Sequence, residues 1–506
     1  TDYAIELAKL DPDLDNYNTV NPSDVNIYTS FTVHANRRIK HLDSIQQTAQ
    51  DHPNEFKEAH LPENIVKAVK LLHHNTPKQT TESFSLSSDG KFDPDLVTER
   101  ITQSLAEFTV ELLNVIKLDA SPGSPYVLLA KKNKDLLEKY PEMIVALVIN
   151  RLRLLSEHSV EEFKQFSPRK LIDDGFVDLV RLFIKKEPTN NAKVLEGRLR
   201  LISSVSIVDQ LVERVLFGPQ CLVEKNNWKT HPLQPGIDIM THTSLQGIYD
   251  RVAANTIEAV DSDVSSYDWN VTPEMHFTYA YYMCLKASVA GTDNVLERMI
   301  YNRTHCIIAA MFVTTHGHIL SLPEKYRGIQ LSGRYVTSQS NSVMRVIAYY
   351  RAAKAKTGET PPYIIAMGDD AVEEYLDNAI HRYALVGLAI KVYTRNRKYN
   401  FDGQPFVGQN LNVLTPNNPL VFEFCSTIFA DTVQHASNGN KTLSNLLNKK
   451  QITKMEYEQF CMIMQRHPSL EYWKGLIAWS PNVAPELLLD TSRSIETLLE
   501  YRGTFR

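Results

Sequence analysis

The chain is poor in the features that mark several common protein classes. It has five cysteines in 506 residues (Cys221, Cys284, Cys306, Cys425 and Cys461), and no two share a paired spacing. That excludes a disulfide framework and a cysteine-rich zinc module, and it fits reduced, intracellular thiols. His73-His74 and the near pair His316 and His318 come with no matching cluster and read as surface or packing residues. No apolar run approaches the roughly 18 residues of a membrane span; Met143–Ile149 and Ile307–Val313 are the longest near-uniform ones. The start carries no secretory signal pattern, and it opens on Thr1 rather than Met, which points to proteolytic release or trimming. Positive charge is not in excess either: 54 Lys and Arg stand against 59 Asp and Glu, a formal net charge of −5. A generic basic nucleic-acid binder is therefore excluded, but a local channel is not, because local charge sets local potential. There is no internal repeat.

The length implies several subdomains, and the charge is segregated. Arg181–Arg200 holds six basic residues against two acidic ones, whereas the first sixty residues are polar and acidic-leaning. Turn signals at Asp11-Pro12, Asn21-Pro22 and His52-Pro53 predict an extended arm with short elements there. Apolar spacing predicts helices over Glu63–Leu72, Asp95–Ile116 and Asn133–His158, with a loop over Thr76–Asp93. Strands are expected at Leu179–Lys185 and Leu199–Val205 around a basic loop, then a helix at Val208–Phe217 and a buried strand at Asn255–Asp263. Thr272-Pro273-Glu274 is a helix start, with a capping side chain followed by proline at the first helical position. Tyr335–Lys354 reads as a long helix entered through Gln330-Leu-Ser-Gly333. Asn378–Val386 reads as a helix stopped by Gly387, followed by a strand at Leu388–Tyr393. Phe406–Leu414 and Leu420–Phe429, split by Thr415–Pro419, read as a hairpin, and the last seventy-five residues as helices.

Four stretches carry chemistry. Pro361–Tyr375 reads as a β-hairpin whose turn, Gly368-Asp369-Asp370, sets two carboxylates side by side at the end of apolar strands. Adjacent like charges there are costly unless a cation neutralises them, and hard divalent ions such as Mg²⁺ or Mn²⁺ choose carboxylate oxygens. Asp263 ends a strand, and Asp268 follows at the head of a helix. If the two strands are neighbours, Asp263 and Asp369 could share two metal ions about 4 Å apart. Thr337 and Asn341 lie on one helical face, where the Asn341 amide could reach both a ribose hydroxyl and Asp268. The basic stretch from Lys185 through Lys193 to Arg200 could clamp a triphosphate.

In this order, basic clamp, Asp-x4-Asp, Ser-Gly-x3-Thr-x3-Asn and Gly-Asp-Asp, the chain resembles the viral RNA-dependent RNA polymerases over about 120–430. Asp268-Trp269, Ala366-Met-Gly-Asp-Asp and Glu423-Phe-Cys-Ser426 look more narrowly like the sobemovirus–polerovirus (solemovirus) group of plant viruses. The resemblance implies an α/β (α+β) closed right hand with an antiparallel-sheet palm, fingers and a mostly helical thumb. Its implied parts are an N-terminal arm bridging to the thumb (1–115), fingers (116–254, with a template loop at 119–126 and a nucleotide clamp at 181–202) and palm (255–285). A fingers insertion (286–325), the rest of the palm (326–430, including 330–354, 361–376 and 406–429) and the thumb (431–506) complete it.

Carried over residue by residue, the resemblance makes Asp263 and Asp369 the principal ligands of two Mg²⁺ (Mn²⁺ as a substitute), helped by Asp370 and the Val264 carbonyl. Asp268, Ser332, Gly333, Thr337 and Asn341 would line the ribose pocket, and Lys185, Lys193 and Arg200 would hold the triphosphate with Glu187 orienting them. Ser121, Gly123, Phe424, Cys425 and Ser426 would meet template or primer. Lys391 and Arg395 compete as the cation that protonates pyrophosphate, with Lys391 the better acid. Implied partners are an RNA template, nascent RNA and ribonucleoside triphosphates, with a genome-linked protein primer and other viral replication proteins in cytoplasmic replication complexes of the host. A reverse transcriptase on the same palm, and a catalytically silent RNA-binding scaffold, are the rival readings.

Overall fold

The computed structural model describes residues 17–18, 20, 23–79, 117–395, 397, 420–431, 433–465, 467, 470–478 and 480–487. The expected helix Asp95–Ile116, nearly all of the Thr76–Asp93 loop, and the strand Phe406–Leu414 with its Thr415–Pro419 turn lie outside them.

Beyond the two-residue strand Tyr17–Asn18, which pairs with Thr189–Asn190, the region expected as an extended arm is helical from Asp24 on. It forms the 28-residue helix α1 (Asp24–Asp51), then α2 (Pro53–Ala59) and α3 (Pro62–His74). Ser23 caps α1 by accepting from the Asn26 N–H, and Pro53 and Pro62 occupy first-turn positions that need no donor. Pro53, read as a turn signal, is thus a helix start, while Pro12 and Pro22 lie outside the described residues.

Further helices are α4 (Ile207–Asn226), α5 (Pro273–Lys286), α6 (Val295–Ile308), α7 (Thr337–Ala352) and α8 (Ala379–Leu385). Thr272 caps α5 as its sequence predicts, accepting from the Met275 N–H. The expected helix Asn133–His158 breaks at Tyr140-Pro141 into Asn133–Lys139 and Pro141–Glu157. In the other direction, α4 runs past its expected end at Phe217 and through Pro219. Buried polar side chains hold that extension: Gln220 donates to the Pro77 carbonyl and to Glu224, which also accepts from the Tyr282 hydroxyl. Tertiary contacts there outweigh the local cost of proline. Helix α7 is buried on nearly every side and packs against α3, α5 and α8, within the largest apolar core, which α4 and α6 share.

The strands are β1 (Val180–Ile184), β2 (Leu201–Ser204), β3 (Ala259–Val264), β4 (Phe312–Val313) and β5 (Ile319–Leu320). They continue with β6 (Ile364–Met367), β7 (Asp370–Glu374), β8 (Ile390–Arg395), β9 (Phe422–Phe424), β10 (Thr427–Phe429) and β11 (Gln434–Ala436). One sheet has the order β2-β1-β4-β5. The central sheet is fully antiparallel, β8-β3-β7-β6, with β3 buried on both faces. Leu420–Phe429, expected as one strand, instead folds back as β9 and β10 about Cys425-Ser426, both left-handed at φ +51° and +53°, the geometry of a tight hairpin turn. Helices Gly439–Leu447, Lys454–Ile463 and Leu470–Ala478 bury a separate small core around Trp473.

Candidate active site

The Gly-Asp-Asp turn joins β6 to β7, which pair as far as Met367 opposite Asp370. Gly368 sits at φ +67°, a conformation costly for any residue with a β-carbon, and its N–H donates to Ser342 Oγ of α7 at 2.8 Å. The neighbouring strand β3 pairs Ser262 with Ala371, so Asp263 stands one step further along, beside this turn. On its other side Asp263 faces Val392 of β8, where the register slips between Ile390 and Val392. Lys391 is the extra residue, and its Nζ lies 3.1 Å from Asp263 Oδ2. Arg395, the alternative cation, is bound instead to Glu258 at 2.7 Å at the far end of β8.

These carboxylates feel one another. Burial holds Asp369 above the usual carboxylate range, and the Asp263 charge adds to it. Burial pushes Asp370 up to about 7, against the help of the Cys425 N–H, with Asp369, Glu423 and Asp263 adding repulsion. Asp370 is turned away toward the β9–β10 hairpin, where it accepts from Cys425 N at 2.6 Å. The acidic floor facing the cavity is therefore Asp263 and Asp369. A set of hard, mutually repelling oxygen donors fits a divalent cation of the magnesium type.

Asp268 rises from Ser265-Ser266 in the short helix Tyr267–Asn270 and accepts from Asn341 Nδ2 at 2.9 Å. Burial pushes its pKa up to about 6; the Asn341 bond opposes that and the Asp369 charge reinforces it. Gln330 was not singled out from sequence, yet its amide donates to Asn341 Oδ1 and to Ser340 Oγ, both at 2.7 Å. That fixes which face of the Asn341 amide meets Asp268. Arg334 in turn donates to Gln330 Oε1 at 3.0 Å and to Glu213 at 2.8 Å. A buried charge network then continues through Arg303 to Asp209 and Arg151.

A cavity of about 1490 Å³ opens over this floor. Its wall includes Asp263, Val264, Asp268, Ser332, Gly333, Thr337, Asn341, Asp369 and Lys391, together with Ser121, Glu187, Lys193 and Arg200. The same lining carries a basic group of Lys193, Arg198, Arg200, Lys391 and Lys441. The Lys193 ammonium is held below its usual range by burial and by Arg198, Lys391 and Lys441 nearby. Glu187 sits between Lys185 at 3.0 Å and Arg200 at 3.7 Å.

Several expected site residues have other work. Thr337 Oγ1 donates to the Leu331 carbonyl at 2.9 Å and ties the loop to the helix. Ser332 Oγ accepts from the Ser203 N–H at 3.1 Å, docking the same loop on β2. Gly333 lies so near that a β-carbon would meet the Ser203 carbonyl at 2.2 Å. Gly123 is buried, its would-be β-carbon 2.8 Å from Ser206 Cα, so it packs the loop against the start of α4. Phe424 is likewise fully buried in the apolar cluster with Tyr249 and Phe422, leaving Cys425 and exposed Ser426 at the hairpin tip. Lys185, Asp370 and the β9–β10 tip lie outside the cavity lining.

An antiparallel sheet with acids on a hairpin turn, set beside a large cavity whose lining also carries several cations, is the arrangement of the polymerase class. The family described as viral RNA-directed RNA-polymerase matches residues 26–252 and 266–399, and the chain belongs to that family. It is 37% identical over 276 residues to the replicase polyprotein P2AB of Southern bean mosaic virus, covering 54% of this chain and 27% of that one. To the P2AB of Southern cowpea mosaic virus it is 30% identical over 401 residues, covering 79% and 38%. To the RNA-directed RNA polymerase of Mushroom bacilliform virus it is 30% identical, covering 62% and 75%. The chain thus spans between about a quarter and two fifths of the P2AB polyproteins it matches. The plant-virus replicases among the relatives lie in the sobemovirus and polerovirus group expected from the sequence. A solved sicinivirus 3Dpol RNA-dependent RNA polymerase is similar at 15% identity and a TM-score of 0.46, covering 88% of this chain and 82% of that one.

Proposed function

We propose that the chain copies an RNA template from ribonucleoside triphosphates by in-line nucleotidyl transfer, and that the cavity over Asp263 and Asp369 is where this happens. The observation that carries the reading is the convergence of Asp263, Asp369 and the Asp268–Asn341 pair from three separate segments onto one cavity floor. Asp263, Asp369 and the Val264 carbonyl would hold two Mg²⁺, with Asp370 joining if it leaves Cys425. When bound, such ions lower the pKa of an attacking hydroxyl and stabilise charge on the leaving pyrophosphate.

Asp268 and Asn341 form the ribose filter: the carboxylate accepts from a sugar hydroxyl while the amide, oriented by Gln330, bonds another. Lys193 and Arg200 of the basic group bind the triphosphate, and Lys391 stands nearest to Asp263 to deliver a proton to pyrophosphate. On this reading β8-β3-β7-β6 is the palm, residues 117–254 and 286–325 belong to the fingers, and the helices after Gly439 form the thumb. Initiation from a genome-linked protein, work beside other viral replication proteins and a cytoplasmic location in the host belong to the same proposal. No helix among the described residues is long and apolar enough to cross a membrane.

Asp369→Asn tests the assignment. Incorporation on a primed RNA template should fall by at least about a thousandfold, as for removal of a principal catalytic group, while RNA binding is nearly unchanged. Unchanged incorporation would overturn the assignment of Asp369, absence of incorporation by the unaltered chain would favour the scaffold reading, and a preference for deoxynucleotides would favour the reverse transcriptase.

A further inference from the structure

Away from the cavity, the bend between α1 and α2 meets the start of α8. His52 closes α1, its N–H donating to the Thr48 carbonyl at 2.9 Å, and Pro53 then restarts the chain as α2. Glu55 lies in the first turn of α2, and His381 in the first turn of α8. His52 Nδ1 is 3.5 Å from one Glu55 oxygen, and His381 Nε2 is 3.4 Å from the other. The two imidazoles meet edge to face at 4.5 Å. Among the described residues, this is the one group of three His, Cys, Asp or Glu side chains whose donor atoms all lie within 4.8 Å of one another.

We propose that His52, Glu55 and His381 form a site for a borderline divalent metal, Zn²⁺ in the first place, that clips the N-terminal helices to α8. The donor set is two imidazole nitrogens and one carboxylate, which suits zinc and cobalt rather than magnesium. Tetrahedral coordination at 2.0–2.1 Å sets donor atoms about 3.4 Å apart; His52 stands 3.5 Å from one Glu55 oxygen and His381 3.4 Å from the other, so a small side-chain rotation brings one oxygen and both ring nitrogens into that range. As a metal-free cluster it is a poor interaction: contacts of 3.4 and 3.5 Å between partly exposed groups contribute little.

The frame under the donors is fixed. His60 Nε2 donates to the Leu385 carbonyl at 2.9 Å and His41 Nε2 to the Gly387 carbonyl at 3.1 Å, so α1, α2 and α8 are joined beside the cluster. Side-chain exposures of 44%, 51% and 25% leave room for an ion to enter and for a water as fourth ligand. The site is separate from the acidic floor and does not depend on the function proposed above.

The test uses the full chain carrying Asp263→Asn and Asp369→Asn, which removes the other carboxylate site, freed of metal by chelation and titrated with ZnCl₂ in excess Mg²⁺. Calorimetry should give one zinc per chain, thermal melting should shift upward, and Co²⁺ should give the visible absorption of a tetrahedral centre. His381→Ala and His52→Ala, tested on the same background, should weaken zinc binding at least about tenfold and cancel the shift. His381→Cys, which restores a ligand, should recover both, separating lost coordination from a misfolded variant. Absence of stoichiometric zinc, or equal binding by all the histidine variants, would overturn the proposal.

Discussion

At the scale of single residues, the Asp268–Asn341 pair makes the sharpest prediction. A hydrogen bond to a charged partner contributes about 1.5–3 kcal/mol. Asn341→Ala should therefore reduce the preference for ribo- over deoxynucleotides by roughly ten- to a hundredfold, with single-nucleotide incorporation as the assay. Gln330→Ala should move the same ratio in the same direction, because it frees the Asn341 amide to flip. Another prediction rests on buried histidines. Burial holds His276 down at about 3, with Arg334 adding to it, and burial holds His467 at about 3 and His231 at about 4. Below pH 6.5 the unfolded chain takes up protons that the folded chain refuses. Their share of stability should be flat above that pH and fall as pH drops toward 4, by about 1.4 kcal/mol per pH unit for each such group, while Asp370 and Asp268, raised by burial in the folded chain, contribute with the opposite sign over the same range. Urea midpoints across pH 4–8 would show the slope. His276→Asn, which can still offer an N–H toward the Gly328 carbonyl, should make it shallower by one group's share.

At the scale of elements, the helix that the sequence concealed holds the site in place. Arg38 of α1 is fully buried and donates to the carbonyls of Tyr326, Trp269, Val271 and Arg327 at 2.6–2.7 Å. Phe31 and His34 pack on Trp269, with ring centres 5.6 and 5.0 Å away. These contacts fix both the loop after Asp268 and the loop before Gln330. The buried face of α1 is Ile27, Ser30, Phe31, Arg38 and His41, mostly polar, so apolar periodicity could not find it. The hairpin β9–β10 escaped for a related reason: Cys425-Ser426 lacks the glycine or asparagine that usually marks a left-handed turn. The Gly-Asp-Asp turn, the α5 cap and strand β3 were legible because local chemistry alone determines them. Gln330 and Arg38 were not, because their partners lie far away in sequence or on the main chain. Arg38→Met would strand four carbonyls and should cost at least about 3 kcal/mol. Arg38→Lys, if folded by calorimetry, should lose ribose discrimination more than it loses RNA affinity.

At the scale of the whole molecule, a chain of net charge −5 presents a cavity whose lining combines a group of carboxylates with a group of cations. Lys193, Arg198 and Arg200 come from the segment around β2, Lys391 from the β8 bulge, and Lys441 from the C-terminal helices, so the basic group is assembled from three distant parts of the chain. Burial, Arg198, Lys391 and Lys441 together hold the Lys193 ammonium below its usual range, as neighbouring cations sharing one field would. Such a field lowers the energy of a polyphosphate anywhere in the cavity, before chemistry begins, and it weakens as salt screens it. Lys441 is the informative member because it touches neither the acidic floor nor the Asp268–Asn341 pair. Lys441→Ala should raise KM for nucleotide or weaken RNA binding several-fold at low salt while leaving kcat nearly unchanged. The difference from wild type should shrink at high salt, and the dependence of log affinity for single-stranded RNA on log salt should become shallower by about 0.7. A drop in kcat with KM and salt slope unmoved would mean instead that Lys441 acts through the packing of the C-terminal helices and not through the field over the floor.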